Sequence, residues 1–333
     1  MPAELTTTQF NHLKQLSNDD NVISALALDQ RGSLKKMIAS ASGEGESEEV
    51  IIDFKKAISE ELTKYASSIL LDPEYGLPAA KKRDSKSGLL LSYEKTGYDA
   101  TEPGRFPDLI DNQSALRIGE EGADAVKFLL YYDADEGDKI NDRKKAFVER
   151  VGAESKANNL PFFLELVSYD ANMDSVTDAA YAKVKPHKVI ELTREFSKPR
   201  YNVSVLKLEV PVNQKFVEGF TDGDEPVYTA QEAANYYKEQ AEATNLPFIF
   251  LSAGVTNEMF LKELHFAKDS GSNFNGVLCG RATWKLGVKP FAAEGEEAGR
   301  QWLQTEGKAN IERLNKVLAE TATPWSNKVK VVD

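Results

Sequence analysis

Three charged side chains interrupt stretches of sequence that are otherwise apolar. Lys127 lies within residues 125–129 (AVKFL), Glu165 within 163–167 (FLELV) and Lys207 within 205–209 (VLKLE). A charge in a buried strand is costly unless it is paired. One such residue alone would most simply be a strand-end charge or a structural ion pair. Three of them in successive apolar runs indicate a functional site.

Two lysines and a glutamate suit an enzyme that forms an imine with its substrate. A lysine attacks a carbonyl carbon only as the neutral amine, and apolar surroundings together with a second cation favour that neutral form. Lys207, with Lys127 nearby, could supply this arrangement. Glu165 could then act as general acid and base during carbinolamine formation and loss of water. Asp29, which ends an apolar run, could polarise a substrate hydroxyl, although alone it would suggest a helix cap or a turn.

Two later segments have the composition of a phosphate site. Residues 251–254 (LSAG) and 279–281 (CGR) contribute Ser252, Gly254, Gly280 and Arg281. Glycines let backbone N–H groups approach an anion, and arginine can bind it with two hydrogen bonds. Ordinary turn glycines beside a surface arginine are the alternative. Arg31 is a further candidate, for a second phosphate.

Composition narrows the classes of partner. The 333 residues carry a net charge of -12, which disfavours binding to nucleic acid or to an anionic membrane. The chain contains three histidines and one cysteine, so neither a His-ligated metal site nor a disulfide is expected. We therefore expect no metal and no cofactor. The beginning of the chain lacks the features of a signal peptide and no apolar run is long enough to span a membrane, so we expect a cytoplasmic protein.

The same apolar runs predict the fold. Eight of them, separated by polar stretches with helical periodicity, indicate parallel strands joined by helices and hence a single (β/α)₈ TIM barrel over residues 1–333. The runs are residues 22–29, 67–72, 88–94, 123–132, 161–169, 203–212, 247–254 and 275–282. In TIM barrels the loops after strands seven and eight commonly form a phosphate site, which is where the two small-residue segments would lie.

Helices are predicted between most of these runs, at residues 47–65, 138–158, 186–197, 229–244 and 256–268. Thr229 and Glu232 have the form of a capping box, and Pro186 would suit a first helical turn. The segment 73–87 is short and polar, so it is the weakest point of the pattern. A C-terminal helix and tail are expected at about 294–333, with the helix ending before Pro324.

Six segments together resemble the tagatose 1,6-bisphosphate aldolase family over nearly the whole chain. They are residues 27–32 (ALDQRG), 123–127 (ADAVK), 163–165 (FLE), 205–209 (VLKLE), 251–254 (LSAG) and 280–284 (GRATW). The resemblance implies a class I aldolase that cleaves tagatose 1,6-bisphosphate to dihydroxyacetone phosphate and glyceraldehyde 3-phosphate, in the tagatose 6-phosphate route of lactose and galactose catabolism. It also implies a homo-oligomer.

The resemblance assigns a role to each candidate residue. Lys207 matches the Schiff-base lysine and Glu165 the proton-shuttling acid, while Lys127 and Asp29 match polar residues around the reacting carbons. Residues that match the phosphate site of the dihydroxyacetone half are Ser252, Gly254, Gly280 and Arg281. Gln30 resembles a further substrate contact.

Other functions remain open on the sequence alone. The substrate could instead be fructose 1,6-bisphosphate or a sulfonated sugar phosphate, and the region of Arg31 would discriminate the latter. A barrel that senses sugar phosphates without turnover is the alternative from another class. A purely structural barrel is opposed by the charges in the strands, because it would fill them with Val, Ile and Leu.

Overall fold

The computed structural model describes residues 2–332 apart from residues 44, 46, 222 and 224. Eight parallel strands, each paired with the next along the chain, form a closed barrel, and two short strands pair in a separate sheet. The strands are β1 (Ala3–Leu5), β2 (Ile23–Leu28), β3 (Ser68–Leu71), β4 (Gly88–Ser92), β5 (Ala125–Tyr132), β6 (Phe162–Ser168), β7 (Val205–Leu208), β8 (Phe248–Leu251), β9 (Gly276–Cys279) and β10 (Val329–Val331). Strands β2 to β9 make the barrel, which confirms the predicted fold.

Helices surround this barrel. They are α1 (Thr7–Gln15), α2 (Gly32–Ser42), α3 (Glu48–Leu62), α4 (Leu77–Ala80), α5 (Ala115–Glu120), α6 (Asp138–Ala157), α7 (Ala179–Phe196), α8 (Ala230–Glu242), α9 (Asn257–Asp269), α10 (Arg281–Trp284), α11 (Glu296–Trp302) and α12 (Lys308–Thr321). In the described part of the chain, none of the helices is both long and apolar enough to cross a membrane.

Side chains alternate between the two faces of each barrel strand. Outward residues such as Phe128 and Leu206 belong to the large core between the strands and the helices. Inward residues fill the interior of the barrel in a smaller apolar cluster, which includes Ala125, Phe163 and Val205. This two-residue period places the side chains two positions further along each strand on the same inward face.

The N-terminal end of the barrel is closed by both ends of the chain. Strand β1 pairs in parallel with β10, next to the fully buried Trp325. The indole of Trp325 donates a hydrogen bond from Nε1 to Ser17 Oγ at 2.7 Å and packs edge-on against Phe10. The tail after Pro324 is therefore part of the folded structure, and it covers the end opposite to the catalytic face of a TIM barrel.

Most predicted helices lie where expected, and the capping box of Thr229 and Glu232 is present. The prediction for Pro186 was wrong. Helix α7 begins seven residues earlier, at Ala179, where Asp178 accepts a hydrogen bond from the backbone N–H of Tyr181. Pro186 is therefore inside the helix. The side-chain cap supplied by Asp178 outweighed the local preference of proline for a first turn.

Two other segments differ in detail. The region between the second and third barrel strands contains only the four-residue helix α4. The predicted C-terminal helix is not a single α-helix. Helices α11 and α12 follow each other without a gap, but a π-helical segment, Leu303–Gly307, joins them. Gly307 packs there close to Trp302.

Candidate functional site

The inward register of the strands brings the predicted polar side chains to one end of the barrel. Ala125, Phe163 and Val205 lie in the apolar interior, and the inward residues two positions later are Lys127, Glu165 and Lys207. Pairing between neighbouring strands sets Glu165 directly beside Lys207. A cavity of about 620 Å³ opens over these residues at the carboxyl ends of the strands.

Lys127 is the centre of a buried ionic group. Its Nζ lies 2.8 Å from Asp29 Oδ2, 2.5 Å from Glu94 Oε1 and 2.8 Å from Glu165 Oε2. Only 1% of the Lys127 side chain is exposed. One ammonium therefore holds three carboxyl groups, of which Asp29 follows β2, Glu94 follows β4 and Glu165 lies within β6.

Glu165 connects this group to the proposed nucleophile. Its second oxygen, Oε1, lies 2.8 Å from Lys207 Nζ. The Lys207 side chain is 4% exposed and faces the cavity. The carboxyl group thus bridges two lysines, and its 2.8 Å contact with Lys207 is short enough for a proton to pass between them.

The electrostatics fix the charge of most of the group. Burial disfavours the charged form of Asp29 and of Glu165, but Lys127 and Lys207 outweigh it and hold the pKa of each carboxyl below its ordinary value. Burial also disfavours charge on Lys127, yet Asp29, Glu165 and Glu94 together raise the Lys127 pKa well above its ordinary value. At neutral pH these are two carboxylates and a permanent ammonium.

The two segments predicted to form a phosphate site, residues 251–254 and 279–281, lie next to each other at the mouth of the cavity. Gly254 has a φ of +81°, and a Cβ built on it would lie 3.0 Å from the guanidinium carbon of Arg281. Any larger residue would therefore be strained and would displace the arginine. Ser252 and Gly280 line the same cavity. The predicted phosphate residues are thus brought together.

Gln30 and Arg31 have different surroundings. Gln30 lines the cavity and its Oε1 is buried without a hydrogen-bond partner among the described residues. Arg31 donates from Nη1 to Glu74 at 2.9 Å and from Nη2 to the main-chain oxygen of Glu94 at 2.8 Å. These bonds use two of the five N–H donors of the guanidinium, and Nε is buried without a partner among the described residues, so the role of Arg31 at a second phosphate stays a prediction.

Sequence reasoning assigned no role to Glu94, which the structure places at Lys127. A signal was available, because Glu94 closes the apolar run 88–94, two positions after Ser92, the residue that pairs with Lys127.

Metal-ligand geometry is not found in the part of the chain that the structure describes, where no group of three or more His, Cys, Asp or Glu could hold an ion.

A second polar group lies farther along the cavity wall. Lys185 Nζ is 3.6 Å from Glu209 Oε1, and Glu209 Oε2 accepts a 2.7 Å hydrogen bond from the backbone N–H of Ser168. Glu263, on α9, is 4% exposed and lines the same cavity. No sequence pattern links Lys185 and Glu263, which reside on different helices.

Comparison with known proteins gives consistent matches. The pattern of the DeoC/LacD family aldolases matches residues 23–286, which include all six segments named above. "Tagatose 1,6-diphosphate aldolase 2" of Enterococcus faecalis is 61% identical over 327 residues, 98% of each chain. "Tagatose 1,6-diphosphate aldolase" of Lactococcus lactis is 55% identical over 325 residues, 98% of this chain and 99% of the relative. "Tagatose 1,6-diphosphate aldolase" of Listeria monocytogenes is 57% identical over 326 residues, which are 98% of this chain and 96% of the relative.

A solved structure supports the fold. The fructose-bisphosphate aldolase from Plasmodium falciparum, solved in complex with TRAP and a small-molecule inhibitor, superposes with a TM-score of 0.68. The alignment covers 94% of this chain and 96% of that one at 15% identity. At this identity the likeness extends to the barrel architecture alone.

The buried carboxyl of Glu263 predicts a pH-dependent stability. Burial raises its pKa from 4.5 to about 8, with Lys185 opposing the rise. A carboxyl whose pKa is higher in the folded state makes the unfolded state lose its proton first, so stability falls as pH rises from about 4.5 to 8. Glu263→Gln should therefore match the wild type near pH 4.5. Toward pH 8 the free energy of unfolding of the variant should increasingly exceed that of the wild type, by about 1.4 kcal/mol per unit of pKa difference.

Urea unfolding at a series of pH values measures this effect. Glu320→Gln, at an exposed position of α12, is the control and should not change the pH dependence. Parallel stability curves for the wild type and Glu263→Gln would contradict the prediction.

Proposed function

Since this chain belongs to the DeoC/LacD family of aldolases, we propose that it cleaves tagatose 1,6-bisphosphate to dihydroxyacetone phosphate and glyceraldehyde 3-phosphate through an imine on Lys207. The arrangement of Lys207, Glu165 and Lys127 carries the mechanistic part of this proposal. The names of the relatives, at 55 to 61% identity over nearly the full length, support the substrate. Tagatose 6-phosphate catabolism is the corresponding pathway.

Imine formation starts at the ion pair between Lys207 and Glu165. Transfer of a proton along this 2.8 Å contact leaves Lys207 as the neutral amine and Glu165 as the acid. Lys127 stays positively charged beside them. The Lys207 amine attacks C2 of the sugar, and Glu165 returns its proton to the departing hydroxyl. Water leaves and a protonated imine remains.

Cleavage uses that imine as the electron acceptor. The C3–C4 bond breaks, its electron pair moves toward the imine nitrogen, and an enamine forms on Lys207. The proton of the C4 hydroxyl passes to Asp29 or Glu165, both of which are carboxylates near the lysines. Glyceraldehyde 3-phosphate leaves, C3 of the enamine takes up a proton, and water releases dihydroxyacetone phosphate. This route requires no metal ion.

The loops after β8 and β9 suit the phosphate of the dihydroxyacetone half. Ser252 offers a hydroxyl, Arg281 a guanidinium, and Gly254 and Gly280 an open approach to the backbone. Strand β8 is the neighbour of β7, which carries Lys207, and β9 is the next strand after β8. A ketose whose C1 phosphate binds there would place C2 near the Lys207 amine, because only C1 separates the phosphate from C2.

We further propose that residues 1–333 form one aldolase domain that assembles as a homo-oligomer in the cytoplasm. The resemblance to the family supports the assembly, and the phosphorylated substrate supports the compartment, because sugar phosphates are made and used inside cells. Light scattering of the purified protein tests the assembly. A particle with the mass of one chain would contradict it.

Trapping of the imine tests the mechanism. Wild-type protein treated with borohydride, dihydroxyacetone phosphate and EDTA should gain a reduced adduct in its intact mass, and Lys207→Ala should not. Lys185→Ala is a matched control, because Lys185 is a buried lysine of the same cavity that lies outside the group around Lys127, and its loss should leave the adduct in place. An adduct on Lys207→Ala would show that Lys207 is not the nucleophile. No adduct on the wild type would favour the sugar-phosphate sensor.

Removal of the guanidinium tests the phosphate site. Arg281→Ala should raise the KM for tagatose 1,6-bisphosphate about 10- to 100-fold, the usual cost of a lost hydrogen bond to a charged group. Steady-state assays with tagatose and fructose 1,6-bisphosphate measure this and compare the two substrates. Arg117→Ala, at an exposed arginine on α5, should leave the KM unchanged. An unaltered KM for Arg281→Ala would place the phosphate elsewhere.

A further inference from the structure

Glu94 is a buried carboxyl group with one oxygen unused. It follows β4, is 5% exposed and lines the cavity. Its Oε1 lies 2.5 Å from Lys127 Nζ, whereas its Oε2 is buried with no hydrogen-bond partner among the described residues. The main chain is fixed by Arg31, which donates to the Glu94 carbonyl at 2.8 Å. An unsatisfied polar atom in such a site has a cost that a bound ligand can remove.

The surroundings of Glu94 shift its pKa in a different direction from that of its neighbours. Burial raises the pKa of Glu94, and the nearby Lys127 lowers it without fully offsetting the burial. Asp29 and Glu165 shift in the opposite direction. Of the three carboxyl groups around Lys127, Glu94 is the one whose surroundings favour the protonated form. In that form it accepts from Lys127 through Oε1 and offers a hydroxyl at Oε2, the oxygen that has no partner among the described residues.

The order of strands shows which part of the substrate Glu94 can reach. In the eight-stranded barrel β4 is opposite β8, and it is three strands from both β7 and β9. The nucleophile Lys207 and the phosphate loops lie on that far side. A sugar anchored there by its C1 phosphate and by C2 extends its remaining carbons across the cavity, toward Asp29, Lys127 and Glu94.

We propose that Glu94 is a further substrate-contacting residue, whose carboxyl donates a hydrogen bond to the C4 oxygen, the atom that becomes the aldehyde oxygen on cleavage. This role rests on the proposed function. As the C3–C4 bond breaks, the C4 hydroxyl proton goes to Asp29 or Glu165, and Glu94 stabilises the charge that develops on that oxygen. In the reverse direction the same hydrogen bond polarises the aldehyde toward attack by the enamine. Glu94 transfers no proton.

Two reactions of the same enzyme separate this role from a purely structural one. Exchange of the C3 protons of dihydroxyacetone phosphate with D₂O, followed by NMR, needs the imine and its acid–base group but no C4 oxygen. Cleavage of tagatose 1,6-bisphosphate needs the imine, the acid–base group and the C4 oxygen. Glu94→Ala should therefore lower kcat/KM for cleavage about 10- to 100-fold while exchange stays within about 3-fold of wild type.

Glu94→Gln is the conservative variant. Its amide keeps a donor and an acceptor in nearly the same shape, so cleavage should recover to within about 10-fold of wild type. Glu258→Ala, at an exposed glutamate on α9, is the control and should match wild type in both reactions.

Each outcome decides the role. A selective loss of cleavage in Glu94→Ala with recovery in Glu94→Gln supports the contact. Normal cleavage by Glu94→Ala, an equal loss of exchange and cleavage, or a Glu94→Gln variant as poor as Glu94→Ala would overturn it. Wild-type protein inactive in both reactions would overturn the proposed function, and the role of Glu94 would be withdrawn with it.

Discussion

The site depends on one buried ammonium, that of Lys127. Asp29, Glu94 and Glu165 belong to three different strands or to the residues just after them, and they would repel one another in a low-dielectric interior if Lys127 did not lie between them. The same cation is linked to Lys207 through Glu165, whose two oxygens each lie 2.8 Å from one of the two lysine nitrogens. A single side chain thus assembles the carboxyl groups and holds the one that contacts the nucleophile. Its removal would leave buried carboxylates unpaired, so the fold and the chemistry share this constraint.

The barrel supplies Lys127 with its surroundings by simple periodicity. Inward positions are apolar through the lower layers, where Ala125, Phe163 and Val205 pack. Two residues later on the same strands they become ionic. Trp325 and the pairing of β1 with β10 cover the apolar end, which leaves the polar end as the open one. A charged layer at the top of an apolar barrel can therefore be held rigidly without exposing its base to water.

This periodicity explains why much was predictable from sequence. Charges at Lys127, Glu165 and Lys207 share the inward parity of apolar neighbours, and the glycines at 254 and 280 mark sharp backbone turns. Glu94 was harder to assign, because it follows the end of β4 and only the closed barrel brings it to Lys127. Arg31 was harder still. Its pairing with Glu74 joins two loops, and no local pattern indicates that its guanidinium is engaged.

The charges at the site also bear on how an acidic protein binds a doubly phosphorylated sugar. The carboxylates of Asp29 and Glu165 lie against the ammonium of Lys127 and offset its charge, so the reacting centre offers no excess positive charge to attract an anion. The protein as a whole carries -12. Exposed charges farther away than the Debye length, about 8 Å at physiological ionic strength, are largely screened and neither help nor hinder much. Binding must therefore come from short-range donors, namely Arg281, the Ser252 hydroxyl and the backbone around Gly254 and Gly280. Proximity of these donors to Lys207 then selects a ketose with a phosphate one carbon from its carbonyl.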